Sequence, residues 1–315
     1  MPSPSPVRLR GPYAPVLTPF KPDLSVDTDR FIEHCRWLTN QGAGLAIFGT
    51  NSEAASVSLD ERIDLTEAIV AAGIDPAKLM PGTGLCAIPE AVRLTRHALS
   101  LGAPGVLVLP PYYFKTPSEE GLFAYYSEII ERVGDARFAL YLYHFPQMSQ
   151  VPITAALVER LLKRYPNTIA GLKDSSGDWD NTRTMIERFA SHAQGFSVFP
   201  ASESMMSRAI PLGAAGCISA TNNINPARVG ALIDRLEANG DASEIEALQR
   251  EVDAVRSVFQ RVPMIAAMKA TLAHARDIRE WNILRPPLQP LDESAARDLS
   301  AQLARIGFEL APQTA

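Results

Sequence analysis

Eight short apolar runs, each followed by an amphipathic stretch and ending about every 30 residues, decide what this chain can fold into. The runs are residues 13–18, 45–48, 79–81, 105–109, 138–143, 168–172, 196–199 and 216–219. Each is bounded by turn residues and has the length and apolar content of a buried strand. Helical patterns lie between or after them, at 29–39, 59–72, 88–101, 118–133, 154–164, 179–191, 203–210 and 226–237. Cap signals agree: Asp27-Thr28-Asp29 opens the first, Ser118 and Thr154 read as N-caps, and Pro226 sits in a first turn. The periods share no internal similarity, which speaks for successive βα units rather than a solenoid. Eight such units predict an α/β fold, the closed (β/α)8 TIM barrel of about 250 residues. The rest of the 315 residues reads as helix, at 242–260, 264–276 and 293–306, the last after a Pro-rich turn, Arg285-Pro286-Pro287-Leu288-Gln289-Pro290. The expected organisation is a flexible tail at 1–12, the barrel at 13–238, and a C-terminal helical extension packed on it at 239–315. A doubly wound open sheet competes, but no strand is followed by the Gly-x-Gly-x-x-Gly turn that would open its first helix.

Composition narrows the function class. A net charge of −5 without a basic run argues against nucleic-acid and anionic-membrane surfaces. No stretch approaches the roughly 18 apolar residues of a membrane span. Cys35, Cys86 and Cys217 are odd in number and far apart, as expected of a reduced, cytoplasmic chain. The Pro- and Ser-rich start has no apolar core of a signal peptide. His34, His97, His144, His192 and His274 form no ligand pair at helical or strand spacing, so no metal site and no cofactor are expected.

Active sites of such barrels lie at the C-terminal strand ends. The sixth run, Thr168-Ile169-Ala170-Gly171-Leu172, ends in Lys173 and then Asp174-Ser175-Ser176-Gly177. Burial of an amine penalises its charged form, and this is how lysines become nucleophiles at neutral pH. A strand-end lysine that snorkels to water is the competing reading. The fifth run ends in Tyr143-His144-Phe145-Pro146, the fourth in Pro110-Pro111-Tyr112-Tyr113-Phe114, the second in Gly49-Thr50-Asn51-Ser52-Glu53 and the eighth in Ile218-Ser219. Lys173 is therefore expected among hydroxyls and phenols, without an acidic partner on adjacent strands. That is the setting of a Schiff-base lysine, with a tyrosine shuttling protons to the carbinolamine and enamine. Tyr143 is the best shuttle, because its strand neighbours that of Lys173. Each piece has a plainer reading: 49–53 as a capping loop, Tyr112-Tyr113 as a subunit contact, Tyr143 as rim packing. His144 alternates with Tyr143 and reads as structural.

Together these motifs resemble the dihydrodipicolinate synthase / N-acetylneuraminate lyase family of class I, pyruvate-type aldolases, over nearly the whole chain. The most specific are Gly171-Leu172-Lys173-Asp174-Ser175-Ser176, Tyr143-His144-Phe145-Pro146 and Pro111-Tyr112-Tyr113, followed by Gly49-Thr50-Asn51-Ser52-Glu53. The resemblance implies a Schiff base between Lys173 and a 2-oxo acid, with Tyr143 as shuttle and Thr50 orienting its hydroxyl. It implies that Tyr113 completes the relay across a tight dimer. Thr50 and Asn51 would hold the substrate carboxylate, Ile218 would line the pocket, and the chain would assemble as a dimer of dimers. Two departures stand out. Met148 occupies the place where the synthases carry a carboxylate-binding arginine, and Asn51-Ser52 replaces Thr-Gly, so Ser52 must avoid the left-handed conformation or tolerate strain.

The expectation is a lyase that makes or breaks a C–C bond beside a 2-oxo acid, or dehydrates a 2-keto-3-deoxy acid. Dihydrodipicolinate synthase is the first alternative, and a non-catalytic binding or regulatory barrel the second. The loop after Tyr143, residues 221–225 and Tyr112-Tyr113 are the expected substrate determinants. Their apolar and amide side chains point to a substrate less anionic at its far end.

Overall fold

The computed structural model describes residues 8–193 and 195–312; residues 1–7 of the tail expected at 1–12 lie outside the described residues. Among the described residues the strands are β1 (Gly11–Ala14), β2 (Gly44–Leu45), β3 (Val106–Val108), β4 (Leu140–His144), β5 (Ile169–Asp174), β6 (Ser197–Pro200) and β7 (Gly216–Ile218). Each overlaps an apolar run read from the sequence. The remaining run, 79–81, lies alongside β3, where Leu107 N–H donates to Pro81 O at 2.8 Å and Thr83 N–H to Leu107 O at 3.0 Å. No helix among the described residues is long and apolar enough to cross a membrane. The chain forms two compact units: residues through Gly11 together with Asp75–Ile218, and Pro12–Ile74 together with the chain from Ser219 on.

The first unit is built on a parallel sheet in the order β3-β4-β5-β6. Ala215 N–H reaches Val198 O at 2.9 Å just before β7. Every residue of β3 to β7 is buried, which is why these strands read as apolar runs rather than as alternation. The helices Glu119–Val133 and Ala155–Arg164 start where expected. Ser118 Oγ accepts from Gly121 N–H at 3.1 Å and Thr154 Oγ1 from Leu157 N–H at 3.1 Å. The single helix expected at 203–210 is instead a 3-10 turn, Glu203–Met205, running into Met206–Ala209.

One face of this sheet is layered by register. Tyr141 pairs with Gly171 and Gly171 with Ser197; two residues on, Tyr143 pairs with Lys173 and Lys173 with Phe199. The Tyr141 ring fills the space that side chains at Gly105 and Gly171 would need. A Cβ on Gly171 would lie 2.2 Å from Ser197 O and 2.7 Å from that ring. The Tyr141 hydroxyl accepts Leu9 N–H at 2.8 Å, and Ser197 Oγ donates to Leu9 O at 2.9 Å. Burial pushes the Tyr141 phenol up to about 12, so it remains a neutral hydroxyl. Gly171→Ala is therefore expected to destabilise the chain by about 3 kcal/mol through overpacking. Chemical denaturation measures this; an unchanged midpoint would mean that both Tyr141 and the backbone at Ser197 shift at no cost.

In the second unit β1 and β2 pair in parallel, Tyr13 with Gly44 and Ala14 with Leu45. The ladder expected through residue 48 ends earlier. After Ala46, whose N–H donates to Ala14 O at 2.8 Å, Phe48 takes φ +59° and turns the chain into the 3-10 turn Thr50–Ser52. Helices Ala242–Phe259, Met264–Arg276 and Glu293–Arg305 share one apolar core with Leu17, Ala220 and Ile224, centred on Phe259, Met268 and Trp281.

Candidate active site

β4 and β5 set the central pair. Register places Tyr143 beside Lys173, and parallel pleating turns both side chains to the same face. Both are buried, at 3% and 2% exposure. Lys173 Nζ donates to Tyr143 Oη at 3.3 Å and lies 4.3 Å from the centre of the tyrosine ring. The amine is thus met by a hydroxyl and an aromatic face, and among the described residues no carboxylate forms an ion pair with it. Phe145 stacks on Tyr143 with centroids 6.0 Å apart. Ile218 is buried at the C-terminal end of β7.

The opposite face of these strand ends is structural. His144 pairs with Asp174. Its Nδ1 accepts the N–H of Ile153 at 2.9 Å, and burial holds its pKa below the usual imidazole value, so this ring is a neutral acceptor. The Asp174 carboxylate accepts Ser176 N–H at 2.8 Å, Asn181 Nδ2 at 2.8 Å and Thr182 Oγ1 at 2.7 Å. It ties the loop after Lys173 to the helix Trp179–Phe189, a role the sequence reading left unassigned. A carboxylate followed within two residues by serine is a familiar turn signal and was the available clue.

The loop after β4 is one helical turn, Pro146–Ser149. Gln147 donates its amide to Ser176 O, and Met148 projects to solvent at 58% exposure. Tyr113 and Phe114 are exposed and meet edge to face, with ring centres 5.9 Å apart.

In the second unit Thr50 and Asn51 lie half-buried on the 3-10 turn Thr50–Ser52. Ser52, which stands where the resembling family has glycine, is not left-handed; the positive φ falls on Glu53, at +55°. Ser52 Oγ instead accepts Gly49 N–H at 3.2 Å, and Thr18 Oγ1 donates to Ser52 O at 2.7 Å. Asn222 and Asn223, expected among the substrate determinants, are fully buried and hold β1 and the chain after it. Asn222 Nδ2 donates to Tyr13 O at 2.9 Å; Asn223 donates to Pro15 O at 3.0 Å and accepts Leu17 N–H at 3.1 Å. Asn223 thus spends its amide on the chain after β1, and Asn222 commits its Nδ2 to β1 itself. Among the described residues no three His, Cys, Asp or Glu side chains gather as ligands of a metal would.

The family that this chain matches is one of lyases of the class I aldolase type. The chain belongs to the dihydrodipicolinate synthetase family, whose model matches residues 8–306. A DapA-like lyase of Chloroflexus aurantiacus is 35% identical over 300 residues, 94% of this chain and 97% of that one. The 4-hydroxy-tetrahydrodipicolinate synthase of Thermus thermophilus is 32% identical, covering 95% and 97%. Among solved structures, dihydrodipicolinate synthase from Agrobacterium tumefaciens superposes with a TM-score of 0.83 at 28% identity, covering 94% of this chain and 99% of that one. YagE, a prophage protein of E. coli K12 solved in complex with pyruvate, gives a TM-score of 0.83 at 25% identity, covering 95% and 98%. These neighbours are TIM barrels, and the α/β barrel class expected from the sequence, with its C-terminal helices, is the class of this chain.

Proposed function

We propose that the chain is a Schiff-base-forming class I aldolase or lyase acting on pyruvate or another 2-oxo acid, with Lys173 as nucleophile and Tyr143 as proton shuttle. The observation that carries it is the buried contact of 3.3 Å between Lys173 Nζ and Tyr143 Oη, with no carboxylate paired to the amine among the described residues. A neutral Lys173 adds to the C2 carbonyl of the acid. Tyr143 passes a proton to the carbinolamine hydroxyl, which leaves as water, and an iminium remains. In cleavage, the 4-hydroxyl gives its proton to Tyr143 and the C3–C4 electron pair moves into the iminium. The aldehyde departs and an enamine is left. Protonation at C3 and addition of water release the 2-oxo acid and restore the amine. Dehydration of a 2-keto-3-deoxy acid uses the same iminium. Thr50 and Asn51 keep the carboxylate-holding role that the resemblance gives them, Thr50 the orienting role, Ile218 that of a pocket wall and Tyr113 that of a relay group. The setting proposed is the cytoplasm and the assembly a dimer of dimers; the exposed Tyr113–Phe114 pair supports a subunit contact, since interfaces favour such rings.

The synthase reaction is the second reading, favoured by the Thermus thermophilus relative. Met148 opposes it. A solvent-facing thioether offers no bidentate donor to a second carboxylate. Incubation with pyruvate and borohydride is expected to add the reduced adduct to the peptide carrying Lys173. Absence of an adduct with every 2-oxo acid would remove the enzyme reading. With the adduct in hand, failure to consume aspartate semialdehyde rejects the synthase and leaves aldolase and dehydratase.

A further inference from the structure

The turn that carries Thr50 and Asn51 is anchored by a buried ionic cluster that the chemistry above does not use. Glu53 closes the turn in a left-handed conformation, which a side chain adopts only when its surroundings enforce it. Its N–H donates to Thr50 O at 3.1 Å and its carbonyl accepts Ser56 N–H at 2.8 Å. Its carboxylate is fully buried and pairs with Lys269 Nζ, itself fully buried in the helix Met264–Arg276. The second carboxylate oxygen accepts Arg285 N–H at 3.3 Å. Lys269 also donates to Ile283 O at 2.8 Å and lies 4.5 Å from the centre of the Phe20 ring. The Arg285 guanidinium covers the same ring at 4.6 Å. It donates to Leu24 O at 2.9 Å and to Ser56 O at 2.6 Å, and forks onto Glu61 at 2.8 and 2.5 Å. Two cations from the last 50 or so residues of the chain thus hold both ends of the segment that follows the turn, and a neutral pair of similar size could fill that volume without the geometry.

Burial pulls the Lys269 ammonium down to about 8 and pushes the Glu53 carboxyl up, each opposed by the other's charge. A pair that costs this much desolvation is weak evidence for stability alone. Its product here is a fixed backbone. We propose that Lys269 and Arg285 are positioning residues, which act through Glu53 and Ser56 to hold the turn Thr50–Ser52 in the shape that receives the carboxylate of a 2-oxo acid. This rests on the function proposed above, and it makes the C-terminal helical segment a determinant of substrate affinity rather than only of folding.

The test is the double variant Glu53→Gln/Lys269→Met, which removes both charges at matched volume, compared with each single change. The singles strand one buried charge and are expected to melt lower. The double variant is expected to melt close to the native chain. Its half-saturating pyruvate concentration for borohydride trapping at Lys173 is nevertheless expected to rise about tenfold or more, with the plateau trapping rate unchanged. Hydrogen exchange of peptides spanning residues 49–57 is expected to speed up in the same variant. Recovery of native half-saturation together with native melting would overturn the proposal, because a purely structural pair predicts that. Native exchange in the turn would overturn it as well. If the native chain traps no 2-oxo acid, the functional reading fails and the exchange measurement alone decides whether the turn is pinned. If the double variant does not fold, Glu61→Gln loosens Arg285 from a partly exposed site. A several-fold rise in half-saturation then supports the proposal and no rise overturns it.

Discussion

Replacing Lys173 by alanine is expected to abolish turnover and all borohydride-trapped 2-oxo acid, while the chain still melts cooperatively. The chemistry requires an amine that can lose its proton, and no neighbouring side chain in the layer Tyr143–Lys173–Phe199 supplies one. Truncation leaves a cavity where a buried stem stood, a folding cost of about 2–4 kcal/mol. Against a usual stability of about 5–15 kcal/mol, the sheet survives. Lys173→Arg makes the sharper control: it keeps bulk and donor groups but does not deprotonate, so it is expected to be equally inactive. Lys115 is the amine to watch for a false positive. Its Nζ donates to Tyr112 O at 2.7 Å and reaches Ser149 O at 3.5 Å, on the loop after β4. Peptide mapping that finds the adduct on Lys115, or full turnover in Lys173→Ala, would sink the assignment.

Local pattern carried much of this in advance. Parallel strands buried on both faces leave unbroken apolar runs, so all eight runs were visible even where, as at 79–81, the structure forms only a single bridge at the run's end, between Gly82 and Leu107. The adjacency of Lys173 and Tyr143 followed from strand order alone, because successive βα units place successive strands side by side. Strand ends were less legible. Nothing in Leu45-Ala46-Ile47-Phe48 announces that Phe48 takes a positive φ; the turn beyond it imposes that conformation. The anchoring of Glu53 was invisible for a related reason. Arg285 reaches it across a sequence separation of 232 residues, and pattern reading has no term for such pairs. A trace existed: Lys269 interrupts Met264-Ile265-Ala266-Ala267-Met268 and Ala270-Thr271-Leu272-Ala273, and a lone cation in an apolar helix needs a buried partner. The structural part of Asn222 and Asn223 was equally hidden: amides at a strand end look like substrate contacts, while here their Nδ2 groups donate to Tyr13 O in β1 and Pro15 O just after it.

Tyr143→Phe is expected to cost about 10²–10⁴-fold in turnover with little change in KM, while imine trapping continues at a lower rate. The substitution removes one oxygen and little else. The ring remains packed against Phe145 at 6.0 Å, it still offers its face to Lys173 Nζ, and at 3% exposure no new solvent path opens. Substrate binding should therefore persist, since no contact assigned to the carboxylate is touched. What disappears is the hydroxyl 3.3 Å from the nucleophile, and with it the group that moves protons on and off the carbinolamine and the 4-hydroxyl. Water can replace the first transfer poorly, which is why slow trapping survives. It replaces the second worse, because the proton must leave as the C3–C4 pair shifts into the iminium. The two rates should separate accordingly: single-turnover trapping falls less than steady-state cleavage. Equal losses in both would place Tyr143 at imine formation only, and native turnover would remove it from the mechanism.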